Sequence, residues 1–452
     1  MTPPSARILC VVSGLPSVLY PSLELARRLA AAGHRVTFAS RAEARPLVEH
    51  HGLDFFALEP SGHEAFQAAD VGPLPVRLLR LRERREQARE AMAVGGFARA
   101  LRERAPDLVL VNGEMHEHVV AALGAGARVA LLNTFVSIWR QPGLPPPHAL
   151  VLPGVGWKGS RAGMRLLWIA LDLRKRARAL VLSARAAGCD RVSILRLMAR
   201  EAGLDLRRET DDTQWLIPFT WDRLPVLSLH ALEFELPHRP PERVRYVGPM
   251  VLDSRPERPM GDEDQARLGA VLDRRRRAGG KRKLVYAAFG STFTAEPSLL
   301  RRLAETVARE PDWELVVSLS DRVSPAEISP LPERVHAFPW LPQPEVLRHA
   351  DVAVTHGGIG TIDECVTRGV PALVYCGFET DMGGTTARVV HHGIGIVGDR
   401  RRDDPGAIRA HLRRLLLDAR FAESVERLRA CYASYAERRV AERAVESLLG
   451  AT

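Results

Sequence analysis

The residues with the most evident chemistry lie between Phe338 and Arg388. Val352–Thr355 reads as a buried strand, and His356-Gly357-Gly358-Ile359-Gly360-Thr361 as a glycine-rich turn opening a helix. Glycines let backbone N–H groups approach an anion closely, and a helix N-terminus adds a favourable dipole. The pattern suits a diphosphate. Thr361 can cap the helix or donate to a phosphate oxygen, and His356 can donate to another. Glu364, one turn into the helix, lies near the same mouth, where a carboxylate accepts from two vicinal ribose hydroxyls. Trp340, after the preceding strand, offers a flat face to a nucleobase.

Such a turn needs a parallel α/β frame to hold it. Ile8–Ser13, a Gly/Pro turn at Gly14–Pro16, a helix over Pro21–Ala32 and a second strand at Arg35–Ala39 form a βαβ unit. Pro106–Val111, Glu117–Leu123 and Val129–Leu132 repeat the rhythm. A second series begins near Lys283, with strands at Leu284–Phe289, Glu314–Leu319, Val352–Thr355 and Ala372–Tyr375 and helices between them. The pattern predicts two doubly wound sheets whose strand C-termini face one cleft. Between the series, Leu236–Gly261 carries Pro237, Pro240, Pro241, Pro249, Pro256 and Pro259 and reads as a linker. The expected division is 1–235, linker 236–261, 262–430, and a terminal helix over 431–452 packing back on the first domain.

Gln141–Leu206 breaks the rhythm. Arg165–Ala184 places Leu166, Ile169, Leu173, Ala177, Leu180 and Val181 on one stripe, expected to cap the first sheet. A sharper alternative is a lid over a greasy ligand, or a foot on an anionic membrane through residues 157–189. The chain has 452 residues, with 64 Lys and Arg against 54 Asp and Glu, a formal charge of +10. Residues 157–189 supply +7 of it, from eight cations and Asp172. Charge concentrated this way, without a recognisable nucleic-acid module, argues against nucleic-acid binding. No apolar run approaches the roughly 18–20 residues that span a bilayer, and the N-terminus lacks a leader pattern. Five scattered cysteines read as reduced thiols, with no zinc spacing and a cytoplasmic setting expected.

The ordered set Trp340, Pro342-Gln343, His356, Gly358, Thr361, Glu364, Gly369-Val370-Pro371 and Asp381 resembles the donor signature of the nucleotide-sugar glycosyltransferases of the GT-B fold, the UDP-glycosyltransferase superfamily (family 1 type). The resemblance implies an α/β GT-B fold, two Rossmann-like domains facing a central cleft. The first would bind the acceptor and the second the nucleotide sugar. Trp340 would stack on the base, Gln343 contact the nucleoside and Glu364 hold the ribose. His356, Gly357, Gly358, Gly360 and Thr361 would hold the diphosphate, and Asp381 would bond sugar hydroxyls. Ser291 and Thr292 stand where the family has a loop facing the phosphates. The implied reaction is inverting transfer from a UDP-sugar, or a dTDP-sugar, to a small lipophilic acceptor such as a natural product. It needs no cofactor and no metal, the sugar nucleotide being a co-substrate.

Departures bear on mechanism. Val18 stands where the family's general-base histidine is usual, and Asn112 where its helper aspartate is. Valine cannot take a proton. Glu114 and His116, just past Asn112, are the candidates for a relocated base. Met382 replaces the usual glutamine, which changes what can bond the sugar. The alternatives are a catalytically altered or accessory nucleotide-sugar-binding protein, a lipid glycosyltransferase at a membrane surface and, among enzymes, a sugar-nucleotide epimerase.

Overall fold

Runs of Val, Ile, Leu and Ala with no polar break can only be buried on both faces, which is how parallel strands behave. The computed structural model describes residues 5–450 except 64–65, 67–73, 212–218, 256–259, 280, 291–295, 321–322 and 378–380. The first half contributes β1 (Arg7–Val11), β2 (Arg35–Ser40), β3 (Asp54–Ala57), β4 (Leu108–Asn112), β5 (Val129–Asn133), β6 (Thr210–Asp211), β7 (Thr220–Trp221), β8 (Val226–Ser228) and β9 (Val244–Tyr246). Seven of these form one parallel sheet in the order β3-β2-β1-β4-β5-β8-β9, while β6 and β7 make a small antiparallel ribbon. The second half contributes β10 (Lys283–Ala288), β11 (Trp313–Ser318), β12 (Val335–Phe338), β13 (Val352–Thr355), β14 (Ala372–Val374) and β15 (Gly395–Val397). They form a parallel sheet in the order β12-β11-β10-β13-β14-β15. In each sheet the order reverses beside the first strand, the switch point where ligands enter open α/β sheets. The architecture is that of the GT-B fold.

Register brings the cleft loops together. Val11 pairs with Val111, so the loop after β1 lies beside Asn112. Ala288 pairs with Thr355, so Phe289-Gly290 lies beside His356. The two halves share an apolar cluster in which Val136, Ala231 and Phe234 meet Ile362, Val366, Val425 and Tyr435.

Several expectations need correcting. The first helix begins at Pro16 and runs to Ala31 with Pro21 inside it. Val18 and Leu19 in its first turn are buried, and that burial outweighs the one backbone bond lost at Pro21. The stretch 236–261 is not linker throughout: Val244 and Tyr246 are buried, Arg245 points out, and β9 closes the edge of the first sheet beside β8. The last helices fall at Ala419–Glu437 and Val440–Gly450, so no break occurs at 430. Ala441, Ala444, Val445 and Leu448 pack into the first domain's core with Leu19 and Leu23. The helix over Arg161–Arg185 caps with only part of its surface, and Leu173, Leu180 and Val181 face outward.

Candidate active site

The glycine-rich turn is built by close packing. A Cβ on Gly290 would stand 2.6 Å from the His356 ring, and one on Gly358 2.7 Å from it. His356 is therefore enclosed between the loops after β10 and β13, and is 5% exposed. Burial lowers its pKa to about 4, so near neutral pH it donates as a neutral imidazole rather than as a cation. Gly357 has φ of +87°, and its Cβ would lie 2.6 Å from Thr386 Oγ1, which leaves glycine as the fitting residue. The helix Ile359–Thr367 starts from Gly358 with no side-chain cap. Thr361 is thus not the cap offered as one option above; its hydroxyl accepts from Gln343 Nε2 at 3.3 Å. The first-turn N–H groups of an uncapped helix are those an anion would use.

Gln343 opens the short helix Gln343–Leu347 and joins three groups. Its amide donates to Thr361 and, at 2.5 Å, to Glu364 Oε2, while its Oε1 accepts from Tyr286 at 3.3 Å. Glu364 is 6% exposed, and its Oε1 accepts from the guanidinium of Arg255. Arg255 in turn lies 4.1 Å over the ring of Tyr20 from the first domain. Burial and the Glu364 charge push the Tyr286 hydroxyl well above the usual phenol range, so it remains a donor. Trp340 is half-buried just after β12. Asp381 is buried and accepts the backbone N–H of Val136 from the first domain at 3.2 Å. Met382, also buried, opens the helix Met382–His391. A Cβ on Gly383 would lie 2.2 Å from the His148 carbonyl oxygen, and one on Gly384 2.3 Å from that of Pro147. The proline loop of the first domain is pressed onto this helix, and the Gly384 N–H donates to the Pro147 carbonyl at 2.8 Å.

The structure thus gathers Gln343, His356, Gly357, Gly358, Gly360, Thr361 and Glu364 on loops and helix starts at the C-terminal edge of the second sheet, with Asp381 and Met382 on the adjoining helix facing the first domain. Ser291 and Thr292 lie outside the described residues. Arg255, Tyr20 and Tyr286 were not singled out in the sequence. Tyr286 is an ordinary strand residue there, and Arg255 sits in a linker whose path no local pattern reveals.

On the first-domain side, Asn112 is buried at the end of β4 and its Oδ1 accepts the Glu114 N–H at 3.3 Å. Its Nδ2 has no partner among the described residues. Glu114 is half-buried. His116 does not fit the part of a relocated base. It is 1% exposed, its Nδ1 accepts the Trp221 indole N–H at 3.1 Å, and its ring centroid lies 4.5 Å from that of Phe219. A ring nitrogen already accepting a hydrogen bond inside an aromatic core is not available to take a proton from an acceptor hydroxyl. Asn112, Glu114, Phe135, Trp139 and Trp221 line a small cavity of about 40 Å³. A larger one, about 710 Å³, lies between the helices Pro16–Ala31 and Ala419–Glu437 and contains none of the residues above. Its charges are matched internally, Glu24 with Arg27 and Arg28, Glu426 with Arg429.

A buried ion pair joins the domains beside the cleft. Glu235 accepts from Arg388, from His230 and from the Ser137 N–H, and both partners of the pair are almost fully buried. Despite its burial, these donors hold the Glu235 carboxyl well below the usual range.

Residues 301–446 match the family described as erythromycin biosynthesis protein CIII-like, C-terminal domain. The chain is 36% identical to oleandomycin glycosyltransferase of Streptomyces antibioticus over 97 residues, 22% of this chain and 23% of that protein. It is 25% identical to sterol 3-beta-glucosyltransferase of Neosartorya fischeri over 405 residues, 87% of this chain and 26% of that protein. The matches thus span about a quarter of the length of these curated relatives. Among solved structures, the calicheamicin glycosyltransferase CalG4 superposes with a TM-score of 0.68 at 22% identity, covering 99% of each chain. The glycosyltransferase VinC in complex with dTDP does so with a TM-score of 0.59 at 20% identity, covering 97% of this chain and 100% of that one. Together these matches show that the chain has the GT-B fold and that its residues 301–446 are similar to the C-terminal domain of the erythromycin biosynthesis protein CIII-like family.

Proposed function

We propose that the protein transfers a sugar from a nucleoside diphosphate sugar, UDP- or dTDP-linked, to a small lipophilic acceptor with inversion at the anomeric carbon. The observation that carries this is the Gln343–Thr361–Glu364 network standing beside an uncapped helix start, which offers a ribose-binding carboxylate and a diphosphate-binding N-terminus side by side. The VinC complex with dTDP and the names of the relatives support the same donor class and a natural-product acceptor.

In this reading an acceptor oxygen on the first-domain side attacks the anomeric carbon from the face opposite the diphosphate. Developing charge on the leaving diphosphate is met by the helix N–H groups, by Thr361 and by the neutral His356. No divalent ion is required in this scheme, so transfer should persist in excess EDTA. Glu114, half-buried beside the unpartnered Nδ2 of Asn112, takes the acceptor proton while Asn112 donates to the acceptor oxygen. Met382 cannot donate to a sugar hydroxyl, which favours a deoxygenated sugar.

A second reading, a nucleotide-sugar-binding protein without transfer chemistry, is favoured by the burial of Val18 and by the packing of His116 against Trp221. Transfer assays with UDP- and dTDP-sugars on wild type, Glu114→Gln and His116→Gln separate the two. The catalytic reading expects turnover that falls about 10²–10⁴-fold in Glu114→Gln, with nucleotide binding kept. Nucleotide binding without turnover in wild type would leave the binding reading standing, and anomeric configuration read by NMR tests inversion.

A further inference from the structure

The helix Arg161–Arg185 buries Gly163, Met164, Trp168 and Leu171 and shows the rest of itself to solvent. Its inner side is well fixed: the Ser160 hydroxyl caps the start by accepting the Gly163 N–H, and the Trp168 indole donates to the Leu144 carbonyl at 2.8 Å. At 100° per residue, Leu166, Ile169, Leu173, Ala177 and Leu180 fall in an arc about 80° wide, roughly opposite Met164, Trp168 and Leu171. That arc is exposed, Leu173 by 63% and Leu180 by 72%, and Trp157 just ahead of the helix is exposed by 65%. Arg165 and Arg176 border it on one edge, and Arg174, Arg178 and Arg185 on the other. Residues 157–189 carry +7 in all.

An outward apolar arc between two arginine edges has few fitting partners. A second copy would set eight cations against eight, which repels. An aqueous ligand or a nucleic acid would match the charge and leave the leucines wet. An anionic lipid surface satisfies both: the apolar arc enters the acyl boundary, the guanidiniums remain among the phosphates on their flexible stems, and Trp157 takes the interfacial level. Among the described residues no helix is long and apolar enough to cross a membrane. We propose that Trp157 and the helix Arg161–Arg185 dock the protein on an anionic bilayer surface. The helix is pinned to the loop at Leu144, and that loop touches the donor-sugar helix at Gly383 and Gly384. Docking therefore brings the acceptor side of the cleft to the membrane, so that a lipophilic acceptor enters from the bilayer. This last clause rests on the proposed function, whereas docking itself does not.

The test is flotation of the full-length protein with phosphatidylcholine vesicles with and without phosphatidylglycerol, at ~0.01 M and ~1 M salt. Binding should require phosphatidylglycerol and collapse at high salt, where screening shortens the reach of charge from about 30 Å to about 3 Å. Leu173→Glu/Leu180→Glu should lose binding by at least about tenfold while keeping the calorimetric heat with UDP or dTDP. Arg174→Ser/Arg178→Ser should weaken binding and flatten its salt dependence. Equal binding to both vesicle types, no binding at all, or Leu173→Glu/Leu180→Glu binding like wild type would overturn the proposal. So would light scattering that shows a dimer dispersed by the leucine substitutions. Vesicle binding without any nucleotide heat would instead count against the donor-site reading alone.

Discussion

Glu364 shows how tightly the proposed donor site is specified at the level of single side chains. One oxygen is held by Arg255 and the other by Gln343, so in the proposed site the carboxylate would meet a ribose with both oxygens already partly engaged. Two incoming hydroxyls must compete with the guanidinium, whereas a single hydroxyl, as in a 2′-deoxyribose, finds room more easily. Arg255→Ala should therefore strengthen UDP binding relative to dTDP, by about 3–10-fold if one charge-assisted bond is exchanged for another. Calorimetric titration of both nucleotides on both proteins checks the ratio, and an unchanged ratio would remove Arg255 from donor choice. The residues of the turn were legible in the sequence because their partners are local: glycines, threonine and carboxylate follow the strand within nine positions. Arg255 and Tyr20 were not, because they reach the site from segments 109 and 344 positions away from Glu364 (364 − 255 and 364 − 20). His116 was misread for the same reason. Its place after β4 is local information, but the Trp221 that claims its ring nitrogen comes from a two-residue strand 105 positions on.

Elements carry the next two consequences. The helix Ile359–Thr367 packs on Ala419–Glu437, and Asp363 there accepts from the Tyr432 hydroxyl at 2.7 Å. Burial raises the Asp363 pKa to about 7. Between its unfolded value near 4 and 7, the folded state holds a proton the unfolded chain has lost, so this group makes stability fall as pH rises through that window and level off above it. The buried His356, lowered to about 4, works in the opposite sense between 4 and 6.5. Asp363→Asn should remove the first slope only, leaving thermal stability that climbs more steeply from pH 4.5 to 7 than in wild type. A thermal melt series against pH would show it, and parallel curves for the two proteins would refute the assignment. The helix Met382–His391 gives the second consequence. A methyl on Gly384 meets the Pro147 carbonyl, so Gly384→Ala must push the proline loop off the start of this helix, the end proposed to meet the donor sugar. Turnover should drop by about 10²-fold with nucleotide Kd little changed. Equal losses in both would point to a general folding defect. At this scale most strands could be read from apolar runs. Boundaries were less legible: Pro21 looked like a helix start because proline suits that position, yet burial of Val18 and Leu19 extends the helix back to Pro16.

The molecule as a whole depends on how its two sheets are joined, and that joining leaves the faintest mark in the sequence. Charged and proline residues between the series predicted a linker, but nothing local predicts that β9 belongs to the first sheet or that Glu235 meets Arg388 across the cleft. That pair is buried on both sides, so losing one partner leaves an uncompensated charge. Arg388→Met should cost about 3–5 kcal/mol, and Glu235→Gln/Arg388→Met together should recover much of it. Chemical denaturation of wild type and the two variants tests this, and a double variant as unstable as the single one would mean the pair contributes more than mutual neutralisation. The proposed function depends on the turn from His356 and the carboxylate of Glu364 forming one nucleotide site. Isothermal titration of wild type and Glu364→Gln with UDP and dTDP asks this directly. Saturable heat with wild type and about 10–100-fold weaker binding in the variant is the predicted result; no heat with either nucleotide, or equal affinity in both proteins, would contradict it.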